Sequence, residues 1–318
     1  MSANISWKIL FIAFSVFLHN ILFAQDITEL VEHRYVDNDG VSIHYAVTGN
    51  GPLVVMVHGF PDYWYTWRHQ MEALKENYTV VALDTRGYNL SDQPAGVDSY
   101  KLDVLVEDVA AVIRAEGEES ATVIGHDWGG GIAWSFAALK PEMTERLIIL
   151  NLPHPKGLVR ELAKFQQQHE NSAYARNFQQ PNSHENLTVE GLSAALSGGD
   201  PNLESAYTEA FGRSSFDSMM NYYRANYPRE PYDSGAFVEL PEVKAPVLQF
   251  HGLNDTALLP GALNDTWDFL ASDWTLVTIP GVSHWPHHAV PEKVNSMIKA
   301  WLETVSYTHL TLPTKRIV

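Results

Sequence analysis

The stretch Ala121-Thr122-Val123-Ile124-Gly125-His126-Asp127-Trp128-Gly129-Gly130 decides the fold. An apolar run of strand length, 121–124, gives way to a glycine-flanked turn, and a helical pattern follows at once over 130–139. Gly125, Gly129 and Gly130 stand where strand and helix backbones must approach closely. Such a turn lifts its central side chain above the strand end, beside the free amides of the helix N-terminus. The central residue is Asp127. Two roles are open to it: a carboxylate that caps the helix, or a nucleophile on a G-x-nucleophile-x-G elbow. The flanking glycines and the preceding strand favour the second.

Outward from this turn the chain alternates. Apolar runs of strand length recur at 53–57, 79–83, 147–150, 247–250 and 276–279, with shorter strand patterns at 34–36 and 41–47. The last two flank Asn38-Asp39-Gly40, a hairpin signal. Helical patterns fall at 65–76, 102–116, 130–139, 261–270 and 292–303. Strand alternating with helix predicts an α/β fold, a mostly parallel twisted sheet flanked by helices. The alternation stops between Leu152 and Leu240, a Tyr-, Asn-, Gln- and Ser-rich stretch bracketed by Pro153, Pro155 and Pro241. Because strands resume afterwards, 153–240 reads as a helical lid inserted between two core halves, 25–152 and 241–305.

Residues 1–24 read as a secretory signal peptide: one basic residue, Lys8, then an apolar run ending at Ala24 before polar residues. An uncleaved membrane anchor is the alternative, for which His19 and Asn20 leave the run short. Residues 306–318 lack apolar periodicity and read as a non-native tail. The chain of 318 residues carries a net charge of −17, and the two trimmed ends hold Lys8, Lys315 and Arg316 but no acid. So acidic a body disfavours nucleic acid and anionic membranes as partners. The expectation is a secreted or periplasmic protein without stable membrane association once the leader is removed. A homodimer is compatible with this reading, and nothing in the sequence decides the oligomeric state. With no cysteine, disulfides, thiolate metal sites and thiol nucleophiles are excluded. No metal and no organic cofactor are expected, since no ligand spacing or phosphate loop occurs.

An aspartate on the elbow changes the reaction class. Attack on an ester would give a mixed anhydride, an uphill product, whereas attack on an sp3 carbon bearing a leaving group gives a stable alkyl ester, to be hydrolysed in a second step. That step needs a base and an orienter. His284 follows the last apolar strand and Asp255 the one before it, both at strand ends where such sheets bind ligands. His284 would deprotonate water while Asp255 holds its tautomer. His287 and His288 are rivals for the base, and Asp265 for the acid. The backbone amides of Phe60 and Trp128 would meet the oxyanion, while His58 reads as structural.

His58-Gly59-Phe60-Pro61, Trp64-Tyr65-Thr66-Trp67-Arg68-His69-Gln70, Asp84-Thr85-Arg86-Gly87-Tyr88 and Gly125-His126-Asp127-Trp128-Gly129-Gly130 occur in this order. Together they resemble the epoxide hydrolase family of α/β-hydrolases over essentially the whole 25–305 body. The resemblance implies a small neutral epoxide and water as reactants. It also implies two lid tyrosines that bind the epoxide oxygen and donate a proton as the ring opens. By local context these would be Tyr174 and Tyr223, with Tyr222 and Tyr207 as rivals. The chain departs from the family pattern at Asn89, usually glycine, and at Ala289, in a loop where relatives often carry an acid. Asn is the side chain that best tolerates a left-handed turn. A haloalkane or haloacetate dehalogenase with the same nucleophile is the alternative. Haloalkane enzymes typically place Asn where Phe60 stands, and fluoroacetate enzymes Arg where Trp128 stands. A non-catalytic ligand-binding relative is a third reading, against which the retention of Asp127, Asp255 and His284 together argues.

Overall fold

The computed structural model describes residues 26–232 and 239–306, so the expected leader and all of the expected tail except Ser306 lie outside the described residues. Every apolar run read as a strand is one. A hairpin of β1 (Glu32–Asn38) and β2 (Val41–Gly49) opens the chain. Asp39 and Gly40 at its tip both have positive φ, 53° and 78°, as a tight right-twisted hairpin requires. There follow β3 (Leu53–Val57), β4 (Thr79–Leu83), β5 (Ala121–His126), β6 (Thr144–Leu150), β7 (Val247–Gly252) and β8 (Trp274–Ile279). They form one sheet in the order β1-β2-β4-β3-β5-β6-β7-β8, antiparallel at β1/β2 and β2/β4 and parallel elsewhere.

β3, β5 and β7 are buried along their whole length, which explains why they are mainly apolar rather than alternating, the polar exceptions Thr122, His126, Gln249 and His251 being buried too. The helices α1 (Arg68–Leu74), α2 (Leu102–Ala115) and α3 (Trp128–Leu139) connect the strands of the first half. Within α3, Ile132, Trp134 and Phe136 are almost wholly buried, each such side chain contributing about 1.5–3 kcal/mol. From β3 the chain moves to β4 on one side and β5 on the other, so the C-terminal ends of β3 and β5 flank the crevice where open α/β sheets bind ligands.

Between β6 and β7 the lid runs through α4 (Pro155–Lys164), α5 (Gln166–Asn171), α6 (Ala173–Phe178), α7 (Val189–Ser197), α8 (Pro201–Arg213) and α9 (Phe216–Asn226). Polar ties clamp it down. Gln168 donates to Ala257 O (2.8 Å) and accepts from Leu259 N (2.8 Å), and Asn171 donates to Thr256 O (2.7 Å). Asn226 accepts from Leu102 N (2.9 Å) and donates to Tyr100 O (2.8 Å). The chain closes with α10 (Pro286–Ala289) and α11 (Pro291–Ser306), the latter taking in Ser306, which the sequence assigns to the tail.

One expected helix is absent. Residues 261–270 form two short 3₁₀ turns, Pro260–Leu263 and Thr266–Phe269, broken at Asp265 by a φ of 57°. Arg160 of α4 donates to the carbonyls of Gly261 (2.9 Å) and Asn264 (2.8 Å) and so ties these turns to a distant part of the chain. Asn89 does sit in a left-handed conformation, φ 43°, while its amide donates to Asp84 (2.7 Å).

Candidate active site

The turn at Asp127 is as tight as its glycines suggest. Asp127 has φ 51° and ψ −124°, a strained backbone for a residue with a side chain, costing on the order of 1–3 kcal/mol. Close packing holds it there. A Cβ on Gly129 would lie 2.0 Å from Val57 O, one on Gly125 2.3 Å from Gly129 O, and one on Gly59 2.3 Å from Asp127 Cβ. Gly129→Ala drives a methyl group into backbone that cannot yield, and is expected to destabilise the fold by about 3 kcal/mol or more. Urea unfolding that moved by less than a third of that would show the elbow to be looser than described.

Two amides converge on the Asp127 carboxylate. Phe60 N donates to Oδ1 (2.8 Å), and the Trp128 amide at the start of α3 faces the carboxylate and helps to lower its pKa. Across the carboxylate, Oδ2 faces His284 Nε2 at 3.4 Å. The other face of the imidazole is tied by Nδ1–H to Asp255 Oδ2 (2.7 Å), and Asp255 Oδ1 accepts the amides of Ala257 (2.8 Å) and Leu258 (3.0 Å). Three loops, after β5, β7 and β8, thus bring together the three residues read from sequence.

The electrostatics follow from this contact. Burial alone would raise the Asp127 and Asp255 pKa values, but His284 outweighs it and both are lowered, Asp255 to about 2. Burial opposes the His284 cation, yet the two flanking carboxylates hold the imidazole well above its ordinary value. The two carboxylates thus favour the protonated imidazole between them.

The rivals are engaged elsewhere. His287 and His288 both point at Thr66 Oγ1 (3.0 and 2.7 Å), and burial lowers both pKa values. Asp265 is paired with Arg160 at 3.2 Å. Tyr222 donates to Arg86 O (2.8 Å) and Tyr207 to Asp62 Oδ1 (3.0 Å). His58 accepts from Thr85 N (3.0 Å) and holds the turn after β3.

Tyr174 and Tyr223, by contrast, line the same cavity as Asp127, their rings edge to face at 6.2 Å. Burial is the main cause of their strongly raised pKa values, and the negative charge on Asp127 adds to it in both. The cavity, about 50 Å³, is otherwise walled by Trp128, Leu152, Pro153, Pro155, Leu158, Tyr227, Pro228 and Leu258. Asn226 also lines it, but its side chain is held by the bonds to Leu102 and Tyr100. No lysine or arginine lines it among the described residues. Nor is any group of three or more His, Asp or Glu placed to hold a metal ion among the described residues. No described helix is long and apolar enough to cross a membrane.

One residue of the site goes unnoticed in the sequence reading. Asn151 follows β6 directly and donates to Asp255 Oδ2 (2.8 Å). The signal was a polar residue closing an apolar strand at the ligand-binding edge of the sheet.

A strained carboxylate elbow, two amide donors and an acid–base pair at successive strand ends define a hydrolase of the nucleophile-elbow class. Known proteins agree with that class. Residues 52–289 match the family described as the alpha/beta hydrolase fold. AB hydrolase superfamily protein YfhM of Bacillus subtilis is 35% identical over 86% of this chain and 98% of its own length. Epoxide hydrolase 1 of Caenorhabditis elegans is 34% identical over 85% of this chain and 70% of its own. The crystal structure of a Bacillus megaterium epoxide hydrolase with an inhibitor superposes with a TM-score of 0.80 at 33% identity, covering 85% of this chain and all of that one. This chain belongs to the α/β-hydrolase family, among its epoxide hydrolases.

Proposed function

We propose that this protein hydrolyses neutral, largely apolar epoxides to vicinal diols through an ester on Asp127. The observation that carries the reading is the placement of the Asp127 carboxylate between His284 and a cavity into which the lid brings Tyr174 and Tyr223. In the first step Oδ2 attacks an epoxide carbon and the C–O bond breaks. The departing oxygen takes its proton from Tyr174 or Tyr223, since an alkoxide is a poor leaving group without an acid. Alkylation removes the Asp127 charge that helps keep both phenols protonated, so proton transfer becomes easier as the ester forms. In the second step His284, once its proton has passed to the tyrosinate left by the first, deprotonates a water that attacks Cγ. The oxyanion grows on Oδ1 against the amides of Phe60 and Trp128, and its collapse releases the diol with Oδ2, the leaving oxygen taking its proton from His284.

Single turnover of styrene oxide in heavy-oxygen water tests this. Label should enter Asp127 and not the first diol released. Label found only in the diol, with an unlabelled Asp127 peptide, would mean direct attack by water and would sink the ester mechanism. The tyrosines make a further prediction: Tyr174→Phe or Tyr223→Phe should slow ester formation about ten- to a hundredfold, and the double variant about a thousandfold or more, within the range of general acid catalysis. Rapid-quench measurement of the ester reads this directly, and a double variant as fast as either single one would contradict shared proton donation.

A further inference from the structure

Asn151 is fully buried, and its φ of 39° is a left-handed value that few side chains tolerate. Its backbone amide donates to Phe250 O of β7 (3.0 Å). Its side chain then reaches three ways. Oδ1 accepts from Gly252 N (2.9 Å), where β7 ends, and Nδ2 donates to Asp255 Oδ2 (2.8 Å) and, at longer range, to Ser283 O (3.3 Å). Ser283 immediately precedes His284. One amide group therefore touches the end of β7, the acid and the loop of the base.

The contact with Oδ2 matters most, because His284 Nδ1–H donates to the same oxygen at 2.7 Å. Two donors share one carboxylate oxygen while the backbone amides of Ala257 and Leu258 occupy the other. Packing alone would be satisfied by any small polar group able to reach Gly252 N. Sharing Oδ2 with the imidazole is a different matter, since it fixes the rotation of the carboxylate and divides its charge between two donors. A neutral amide does this without adding a negative charge, which an aspartate at the same place would do.

We infer that Asn151 is a positioning residue for the second chemical step: it orients Asp255 and draws off part of its charge, so that His284 can lose its proton to become the base. The inference rests on the two-step reading given above. It concerns ester breakdown and leaves ester formation alone, because Oδ2 of Asp127 attacks without help from a neutral His284.

Asn151→Gly isolates the side chain, since glycine accepts the positive φ without strain. The variant should form the Asp127 ester at a rate within about threefold of the parent, and break it down about ten- to a hundredfold more slowly, the scale of a misplaced catalytic group. Loss of one donor leaves more charge on Asp255, which strengthens the imidazolium. The midpoint of the pH dependence of breakdown should then move upward by about half a unit to one unit. The other groups facing His284, namely Asp127, His126, His251 and His287, are unchanged in the variant.

Breakdown at the parent rate with an unmoved midpoint overturns the inference. So does equal slowing of both steps, which marks a merely structural residue. An independent measurement, the NMR titration of the His284 ring in the free enzyme, should show the same upward displacement and needs no turnover. Should the parent form no ester with styrene oxide, the reading of function fails, while the titration still decides the role of Asn151.

Discussion

Asp127→Asn is expected to abolish ester formation, lowering turnover of styrene oxide by roughly 10⁴-fold or more, the scale seen when a nucleophile acting as part of a unit is removed. The amide is nearly isosteric, so the elbow and its hydrogen bond from Phe60 N can persist. What disappears is the negative charge that attacks carbon. A mass shift equal to one bound substrate should appear in the parent during turnover and be absent in the variant. Retention of even a tenth of the parent rate would show that water attacks the epoxide directly and that neither the charge nor the nucleophilicity of Asp127 is needed. The variant should also free His284 from one of its two carboxylates, so its cation should be less stable than in the parent.

The second large effect separates the two steps. His284→Gln removes the base but leaves Asp127, its two amides and both lid tyrosines in place. One equivalent of epoxide should be consumed quickly and the ester should then persist, with breakdown slowed about 10²- to 10⁴-fold. Intact-mass measurement reads the trapped adduct. Failure to trap any adduct, together with parent-like diol release, would remove His284 from the mechanism.

The parent itself should show a milder form of this behaviour with pH. In the free enzyme two carboxylates stabilise the His284 cation. Once Asp127 is esterified only Asp255 remains, and the imidazole's pKa falls. Ester formation needs an ionised Asp127, whose pKa is lowered, and so continues into mildly acidic solution. Breakdown needs a neutral His284 and gains as pH rises through the pKa that His284 has in the ester. Acidification should therefore cause the ester to accumulate.

How much of this was legible before the structure differs from element to element. The sheet was legible because burial on both faces leaves a mark in composition: 53–57 is apolar throughout, and 121–124 departs from that at Thr122 alone. The elbow was legible because close backbone contact leaves glycines. The helix expected over 261–270 was not: the segment breaks at Asp265 and its carbonyls meet Arg160, a hundred residues earlier. Local propensity cannot register a partner that only folding brings near.

The site divides the same way. Residue types and their order along the chain single out Asp127, Asp255 and His284 as candidates, since nucleophile, acid and base follow one another at strand ends. Among tyrosines and histidines the sequence left a choice open. The structure separates them by where each polar atom finds its partner: Tyr222 on Arg86, Tyr207 on Asp62, His287 and His288 on Thr66, with Tyr174 and Tyr223 left facing Asp127. Asn151 belongs wholly to this second kind, for nothing beside it in the chain tells that its amide meets Asp255. By itself, then, the sequence determined the sheet, the elbow and the carboxylate at its tip, because periodicity and backbone clearance are local properties. Which side chains converge on the cavity was decided only in three dimensions, since a hydrogen bond is made between groups the fold brings together, however far apart they lie along the chain.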